Sequence, residues 1–395
     1  MQESQLSSAQ ICLEYTPAFG GSASAVRDYA LALESRVIAF TSTEAPDRPD
    51  GWSKIPVWDV PARKDFLGQA YAWPGSAKSL QEARSILQNS KLIALHLLYR
   101  YHVQWGAGVA RDFDIPFWVI PHGGLDPHVF TYRSLQKRLW MKSYGLRIMK
   151  QAAAVVFATE GERRKASPYL DGCTTQVVRL PIDHIDTTGR DDIRQKIRSQ
   201  LQIPATDRVL IWLGRLHPMK RIFETIQAVG VANNASVHML IIGPDEAISG
   251  NDCVRFSDQR QIKNVHVLGP IYGLEKYDYF MASDGFISLS HRENYNYALA
   301  EALACGLPVI LSPGNDLSVD LSNQEHEMGW MLKSFDEHEA VEAIMRFASV
   351  PRSVLLDMGK AGQNWARLNL VRERFVSRVQ ELANETIRKR DSKSK

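Results

Sequence analysis

The sequence has few cysteines and no long apolar run, and both absences exclude whole classes of protein. Only four of its 395 residues are cysteines, and they lie too far apart to form a CxxC pair or a zinc-ligand spacing. No apolar stretch approaches the ~18 residues that a membrane-spanning helix needs. Residues 1–9 lack the basic start and apolar run of a signal peptide. We therefore expect reduced thiols in a cytoplasmic protein whose contact with a membrane would be peripheral.

An excess of charge of one sign is also missing. The chain has 47 Lys+Arg against 44 Asp+Glu, a net charge of +3, which by itself predicts neither a nucleic-acid nor a membrane partner. Its 45% hydrophobic and 23% charged residues are typical of a globular protein and exclude disordered, collagenous and coiled-coil chains. At roughly 150 residues per domain, the length predicts two domains.

Two common phosphate-binding signatures, GxGxxG and GxxxxGK[ST], are absent. The chain instead has two series of short apolar strands alternating with helical patterns, one from residue 11 and one from residue 208. Such alternation predicts doubly wound parallel sheets covered by helices, with ligands at the carboxyl ends of the strands. We place the linker near 181–192 and predict an N-terminal domain of residues 1–185 and a C-terminal domain of 186–365. Residues 366–395 are predicted to form a C-terminal helix that packs back on the N-terminal domain and ends in a frayed basic tail.

The segment from Ser290 to Ile310 has the most informative spacing. Glu293 is predicted just before a helix that begins at Tyr297, and Glu301 about two turns inside it. The N–H groups at the start of this helix would lie between two acceptors, an arrangement suited to sugar hydroxyls at Glu293, phosphate at the helix start and ribose hydroxyls at Glu301. The residues expected at the helix start are Asn294, Tyr295 and Asn296. A helix that merely carries acidic residues near its N-terminus is the alternative.

Two turns could bind phosphate as well. Gly20-Gly21-Ser22 follows the first predicted strand as a tight turn before a helix at residues 25–34, and its glycines would let backbone N–H groups approach an anion. A plain turn explains these glycines equally well. In LGRLHPMK at 213–220, Arg215 and Lys220 lie between a strand and a helix, where a guanidinium fork and an ammonium suit a diphosphate. Taken alone, this segment is also explained by a solvated basic turn.

Together these segments resemble the retaining glycosyltransferases of family 4, which have the GT-B fold. The resemblance covers about residues 10–350 and rests on motifs in family order. These motifs are Gly20-Gly21, IPHGGLDP at 120–127, GRLHPMK at 214–220, IIGPDE at 241–246, VHVLGPI at 265–271 and the E-x7-E segment followed by EALACGLPVI. The fold class it implies is α/β: GT-B, with two Rossmann-like doubly wound domains facing a central cleft.

The resemblance implies transfer of a hexose from a nucleotide-diphosphate sugar to an acceptor hydroxyl, with the anomeric configuration retained. A UDP-sugar is the first expectation for the donor and a GDP-sugar the second. The resemblance implies that no metal and no other cofactor is needed. The nucleotide sugar itself is a substrate and not a cofactor. Arg215 and Lys220 would stabilise the leaving diphosphate, Glu293 would contact the donor sugar, and Glu301 would hold the ribose. His122 would lie near the transferred sugar, although a structural turn histidine is an equal alternative. No protein nucleophile is expected.

The sequence departs from the family pattern at two positions. Arg221 and Asn296 stand where the family commonly has glycine, and both glycines normally allow close backbone approach. Asparagine tolerates a left-handed backbone better than most residues, so we expect the change at Asn296 to be the milder one.

Residues 132–165 contain nine basic residues and two glutamates, interleaved with apolar side chains. A basic amphipathic helix here would suit an anionic membrane surface and a lipid-linked acceptor, and a solvated helix face is the alternative. Nucleic acid fits less well because no binding motif accompanies the run. The basic residues are Arg133, Lys137, Arg138, Lys142, Arg147, Lys150, Arg163, Arg164 and Lys165.

The leading hypothesis is thus a transferase that builds a surface glycan on a lipid carrier. The alternatives are a GT-B nucleotide-sugar epimerase and a catalytically silent protein that binds nucleotide sugar. The chain length disfavours a phosphorylase. The absence of GxGxxG and the E-x7-E segment in the second half disfavour a nicotinamide oxidoreductase.

Overall fold

The computed structural model describes residues 8–42, 46–63, 72–131, 134–232, 234–322 and 324–393. The chain forms two compact units. The first comprises residues 1–181 together with 372–395, and the second comprises residues 182–371. The sequence placed the boundaries after residues 185 and 365, whereas the structure divides the chain after residues 181 and 371.

The first unit has eight strands among its described residues. They are β1 (Ser8–Leu13), β2 (Arg36–Thr41), β3 (Val57–Arg63), β4 (Trp73–Pro74), β5 (Leu92–His96), β6 (Phe117–Ile120), β7 (Ala154–Phe157) and β8 (Thr175–Val177). They form one sheet in the order β4-β3-β2-β1-β5-β6-β7-β8, and each described pair is parallel except β3 with β4. Helices cover the sheet: α1 (Gly21–Ala32), α2 (Ala77–Leu87), α3 (Tyr101–Asp112), α4 (Ser134–Trp140), α5 (Leu146–Gln151) and α6 (Glu160–Ala166).

The second unit has six strands within the described ranges. They are β9 (Arg208–Leu213), β10 (Val237–Ile242), β11 (Val265–Gly269), β12 (Gly285–Ser288), β13 (Val309–Leu311) and β14 (Gly329–Met331), in the order β11-β10-β9-β12-β13-β14 with every described pair parallel. Its helices are α7 (Arg190–Gln200), α8 (Ile222–Val231), α9 (Gly250–Gln259), α10 (Glu275–Ala282), α11 (Tyr297–Ala304), α12 (Leu317–Ser322), α13 (Glu337–Ser349) and α14 (Arg352–Asn369). The last helix, α15 (Arg372–Lys393), belongs to the first unit.

Strands β6 and β7 are apolar throughout because helices cover both faces of a parallel sheet. Strands β6 and β7 are buried at every position. The indole N–H of Trp118, on β6, donates to the hydroxyl of Thr386 on α15 at 3.0 Å. The ring of Phe375, also on α15, packs edge-on against Tyr29 on α1, with centroids 5.1 Å apart. The C-terminal helix is therefore part of the core of the first unit.

The end of the chain is helical, with a break between two helices. Helices α14 and α15 are separated at Leu370, whose carbonyl accepts a hydrogen bond from Ile182 N–H at 2.9 Å. The basic tail, expected to be frayed, continues α15 as far as Lys393.

The segment 132–165 contains several elements, of which the helices carry the described basic residues. A π-helical turn, Met141–Gly145, joins α4 to α5, and the buried strand β7 then separates this helical stretch from α6. The apolar run AVVF forms β7 because it pairs with β6 and β8 inside the sheet. Tyr132 and Arg133 lie outside the described residues.

A buried ion cluster fastens α7 to the second sheet. The carboxylate of Asp284 accepts from Arg194 at 2.6 Å, from Arg198 at 2.6 Å and from the N–H of Val209 at 2.8 Å. Burial alone would raise the pKa of Asp284, but the two guanidinium groups outweigh it and hold that pKa below its usual value. The cluster therefore stabilises the second unit while its carboxylate is ionised.

The four cysteines all lie within the described ranges and are free thiols. In the part of the chain that the structure describes, no helix is both long enough and apolar enough to cross a membrane.

Candidate functional site

In the second unit, two neighbouring loops bring predicted site residues together. Strands β9 and β12 are parallel neighbours, with Leu210 opposite Gly285, so the loops that follow them lie at the same edge of the sheet. The first loop carries Arg215 and Lys220, and the second carries Glu293. The N–H of His291 donates to Met219 O at 2.9 Å and ties the two loops together.

Lys220 and Glu293 form a direct ion pair at this edge. The Lys220 ammonium donates to Oε1 of Glu293, which also accepts from the Ser290 hydroxyl at 3.0 Å. The two side chains are only 20% and 11% exposed, so solvent screens the pair less than it would a surface pair. A cation and a carboxylate therefore lie side by side at this edge of the sheet.

The backbone around Glu293 is held by the loop that follows β13. The N–H of Glu293 donates to Gly314 O at 2.8 Å, and the N–H of Asp316 donates to Glu293 O at 2.9 Å. A Cβ at Gly314 would lie 2.1 Å from Ser290 O, so this close approach requires glycine. Gly314 was not identified from the sequence, although Pro313-Gly314 shortly after β13 is a readable turn signal.

Asn296 is the N-cap of α11 and does not adopt the left-handed backbone that we considered for it. Its φ is −92°, and its side-chain oxygen accepts from Leu299 N–H at 3.2 Å. The amide nitrogen donates to Asn315 Oδ1 at 3.0 Å and to Ser288 Oγ at 3.3 Å. The buried Asn296 side chain therefore starts the helix and holds the strand ends, a role that glycine could not fill.

The helix α11 begins at Tyr297 as predicted, but Glu301 is only four residues further on and lies about one turn inside it, not two. It is 8% exposed, and its Oε1 accepts from Lys276 at 2.6 Å and from the Tyr277 hydroxyl at 3.4 Å. Burial raises the pKa of Glu301 despite the opposing effect of Lys276. Lys276 and Tyr277 were not identified from the sequence, although both lie at the start of α10, the helix that follows the VHVLGPI motif.

Asn294 and Tyr295 connect Glu293 to α11. Both are half-buried, and the ring of Tyr295 packs edge-on against Tyr297 with centroids 4.9 Å apart. Tyr295 also packs against the hydrophobic core of the second unit, so the segment between the two glutamates is fixed to that core.

Arg215 is exposed and pairs with Glu246 at 2.5 Å, in the loop after β10. This loop contacts the Arg215 loop closely, since a Cβ at Gly243 would lie 1.7 Å from Gly214 O. Only glycine fits there, which gives a physical reason for the glycine in IIGPDE. The structure thus joins Arg215 to the neighbouring loop and Lys220 to Glu293.

Arg221 has the left-handed backbone that glycine favours, with φ +53°. Its guanidinium donates to Phe335 O at 3.2 Å and lies over the Phe335 ring, 5.3 Å from the centroid. It lines a pocket together with Phe223 and Phe256, and the residues lining that pocket in the described chain do not include Lys220. Arginine therefore replaces glycine here without a change of turn.

In the first unit, Gly20 and His122 both follow central strands. Gly20 has φ +82° and caps α1, whereas Gly21 is the first residue of that helix. The predicted tight turn at 20–22 and the predicted helix start at Ala25 were therefore wrong, because the helix begins directly after Gly20. A Cβ at Gly20 would meet nothing within 4 Å, so the backbone angle, not the space, favours glycine there.

His122 follows β6 with a left-handed backbone, φ +49°. Its Nε2 lies 2.8 Å from Nδ1 of His96, whose Nε2 lies 2.9 Å from Oε1 of Gln10. Burial lowers the pKa of His122 to about 4, so its imidazole is neutral at neutral pH. His96 ends β5, between β1 and β6, which places this chain of contacts at the carboxyl edge of the sheet.

A buried carboxylate holds the turn after His122. Oε1 of Glu162 accepts from Gly123 N–H at 2.7 Å, and its Oε2 accepts from Ala158 N–H at 2.8 Å. Glu162 was not identified from the sequence, although Thr159-x-x-Glu162 matches a capping box. Thr159 does cap α6, with its hydroxyl accepting from Glu162 N–H at 3.0 Å. The carboxylate, however, joins two strand ends.

Comparison with known proteins covers both units. Residues 20–182 match the family described as Glycosyl transferase 4-like domain, and residues 193–365 match Glycosyl transferases group 1. TuaC of Bacillus subtilis, whose name assigns it provisionally to teichuronic acid biosynthesis as a glycosyltransferase, is 24% identical over 242 residues. The match covers 61% of this chain and 57% of the length of TuaC.

Two solved structures share the fold over nearly the whole chain. Sucrose-phosphate synthase from Thermosynechococcus elongatus has a TM-score of 0.73 at 18% identity, covering 96% of this chain and 98% of its own. HepE from Anabaena, in complex with UDP and glucose, has a TM-score of 0.72 at 17% identity, covering 95% and 99%. The two parallel α/β units, the loops at the ends of β9 and β12 and both family matches lead to one conclusion: the chain belongs to the family 4 glycosyltransferases with the GT-B fold.

Proposed function

We propose that the protein is a retaining glycosyltransferase that moves a hexose from a UDP-sugar to an acceptor hydroxyl. The observation that carries the proposal is the half-buried pair of Lys220 and Glu293, in two loops at the same sheet edge as Arg215. A nucleotide-diphosphate sugar presents a diphosphate beside sugar hydroxyls, and this edge presents cations beside a carboxylate.

The leaving diphosphate gains negative charge as the glycosidic bond to phosphate breaks. Lys220 and Arg215 are placed in loops where they could stabilise that charge, and two cations offer a means of doing so without a metal. Glu293 then accepts hydrogen bonds from sugar hydroxyls while Lys220 turns to the phosphate. The exposed pair of Arg215 with Glu246 gives little stability and can open at small cost when the donor binds.

The nucleoside is assigned to Glu301. One oxygen of this buried carboxylate is used by Lys276, and the second oxygen is proposed to accept from the ribose hydroxyls. UDP is preferred over GDP because HepE, which shares the fold, was solved with UDP and glucose. The backbone near Asn294 and Tyr295 is proposed to contact phosphate, and the turn at Gly20 and Gly21 is assigned to the acceptor side.

The acceptor is proposed to be a lipid-linked intermediate of a surface glycan at the cytoplasmic face of a membrane. Leu135 and Leu139 are 79% and 62% exposed on α4, and the exposed side chain of Arg138 shares their face at i+3 spacing from Leu135, while exposed Lys142 follows in the π-helical turn. Exposed leucines among cations fit an anionic lipid surface.

The membrane contact is tested by sedimentation with vesicles containing phosphatidylglycerol. Replacing Leu135 and Leu139 with aspartate should abolish co-sedimentation, and neutral vesicles should bind the unaltered protein weakly. The matched control replaces Leu356 and Leu368, which are 56% and 54% exposed on α14, with aspartate. This control variant should still co-sediment with the vesicles. Equal binding by the two double variants would rule out this face.

Transfer itself is tested with radiolabelled UDP-glucose, UDP-galactose and GDP-mannose against a lipid extract. We expect one donor to yield a labelled lipid, and NMR of the product to show the anomeric configuration of the donor. An inverted product would refute the retaining assignment, and a product that requires an added divalent cation would refute metal independence.

A further inference from the structure

We propose that Gln10 and His96 are positioning residues that hold the His122 ring with its proton on Nε2 and a lone pair on Nδ1. His122 then offers a hydrogen-bond acceptor, and not a donor, to a ligand at the carboxyl edge of the first sheet. That this ligand is a sugar rests on the function proposed above, whereas the state of the ring follows from the first unit alone.

A series of hydrogen bonds runs from Ser8 to His122, and its direction is set at Ser8. Leu33 is the C-cap of α1, and its carbonyl is one of those left without a partner inside the helix. The hydroxyl of Ser8 donates to this carbonyl at 3.2 Å. A hydroxyl has one proton, so the Ser8 oxygen can only accept in its 2.6 Å contact with the hydroxyl of Ser35.

The single proton of the Ser35 hydroxyl fixes the next hydrogen bond, to Gln10, in the same way. Ser35 donates its proton to Ser8 and therefore accepts from the side-chain N–H of Gln10, 2.9 Å away. This fixes the amide orientation and turns Oε1 of Gln10 toward His96. A carbonyl oxygen only accepts, so the 2.9 Å contact requires a proton on Nε2 of His96.

The two imidazoles complete the chain. A neutral imidazole has one N–H, so Nδ1 of His96 is an acceptor and the 2.8 Å contact requires a proton on Nε2 of His122. The two rings are 14° from coplanar, and their centroids are 5.1 Å apart. This is an in-plane, edge-to-edge contact along the nitrogen lone pair. Nδ1 of His122 is thereby left with its lone pair.

The surroundings keep this arrangement fixed. Gln10 and His96 have no exposed area, and His102 donates from its Nε2 to the backbone carbonyl of His96 at 2.7 Å. Burial lowers the pKa of both His96 and His122, which agrees with two neutral rings. His122 itself is half-buried, so a ligand can reach it.

The chemical consequence is a preference among sugars that bind at this edge of the first sheet. An acceptor nitrogen at Nδ1 binds a hydroxyl that donates its proton, and it gives no bond to a sugar that presents only an acceptor at the same place. A deoxy or fluoro sugar substrate lacking that hydroxyl should therefore lose transfer by about tenfold in kcat/KM.

The direct test is NMR of the histidine ring nitrogens in the uniformly ¹⁵N-labelled full chain, assigned with His96→Asn and His122→Asn variants. We expect a protonated Nε2 and an unprotonated Nδ1 in both rings. A protonated Nδ1 on His122, or an imidazolium at neutral pH, would overturn the proposal. Neither result depends on transfer activity, so failure of the proposed function would be seen separately.

A variant shows whether Gln10 sets the ring state. Gln10→Met keeps the length of the side chain and removes the acceptor, so His122 should become a mixture of both tautomers and kcat should fall about tenfold with UDP affinity unchanged. His238→Asn is the matched control. His238 lies on β10, and its Nδ1 is 3.1 Å from Nε2 of His266 on β11. This variant should leave the His122 signals and transfer unaltered. A single unchanged tautomer in folded Gln10→Met would show that Gln10 only packs.

Discussion

Replacing Lys220 with alanine tests the proposed donor site most sharply, because the side chain has both a structural and a functional role. The change removes the ammonium that contacts Glu293 and leaves that carboxylate, 11% exposed, with the hydroxyl of Ser290. Losing one partner of a partly buried charge costs about 1–3 kcal/mol. For a unit of this size that corresponds to a fall in Tm of roughly 2–4 °C per kcal/mol.

The effect on turnover should be much larger than the effect on stability. Removing one group that stabilises developing charge typically lowers turnover by about 10²–10³-fold. We therefore expect folded Lys220→Ala to lose about that factor in kcat for transfer from UDP-sugar, measured by release of UDP at saturating donor. Lys360→Ala is the control, because Lys360 forms an exposed pair with Asp357 on α14.

The double variant Lys220→Ala with Glu293→Gln separates the two roles. Removing the uncompensated carboxylate should restore much of the lost Tm, and turnover should remain low. Normal turnover in Lys220→Ala, or recovery of turnover in the double variant, would refute the assignment of Lys220 to the leaving diphosphate.

Three further predictions concern other charged residues. Arg215→Ala should lower turnover at least about 10²-fold and leave Tm nearly unchanged, since its pair with Glu246 is exposed; UDP release and a melting curve check both. Glu301→Ala should weaken UDP binding by about tenfold in calorimetry, and unchanged affinity would remove Glu301 from the ribose. Asp284→Asn should destabilise the second unit by about 3–5 kcal/mol in urea at pH 7. Because the folded-state pKa of Asp284 is depressed, this difference should persist down to its usual value of 3.8 and narrow below it, and a difference that grows in acid would contradict the ion cluster.

The alternation of strands and helices and the spacing of Glu293 and Glu301 were predictable because they are local patterns in the sequence. The family matches confirm the predicted GT-B family. The turn at Arg221 is also understandable from the sequence, since the position expected to hold glycine has a left-handed backbone. The roles assigned to these residues stay predictions.

Other features depend on contacts distant in sequence and could not be read from it. Lys276 reaches Glu301 across 25 positions, and Gln10 meets His96 across 86, because parallel strands bring distant segments to one edge. The role of Asn296 was misjudged for a related reason. Its partner Asn315 comes from another loop, so the sequence showed a substituted glycine and not a cap held by two strand ends.

The measurement that tests the central claim most directly is the thermal stability of the purified protein with UDP, GDP, ADP and NAD(H), in the presence of a chelator. A ligand that binds the folded state increases the free energy of unfolding by about 2.7 kcal/mol at a concentration 100 times Kd, and it therefore raises Tm. We predict a rise with UDP that is reduced in Glu301→Ala and absent with NAD(H). No rise with any nucleoside diphosphate, or a rise with NAD(H) alone, would contradict the glycosyltransferase donor site.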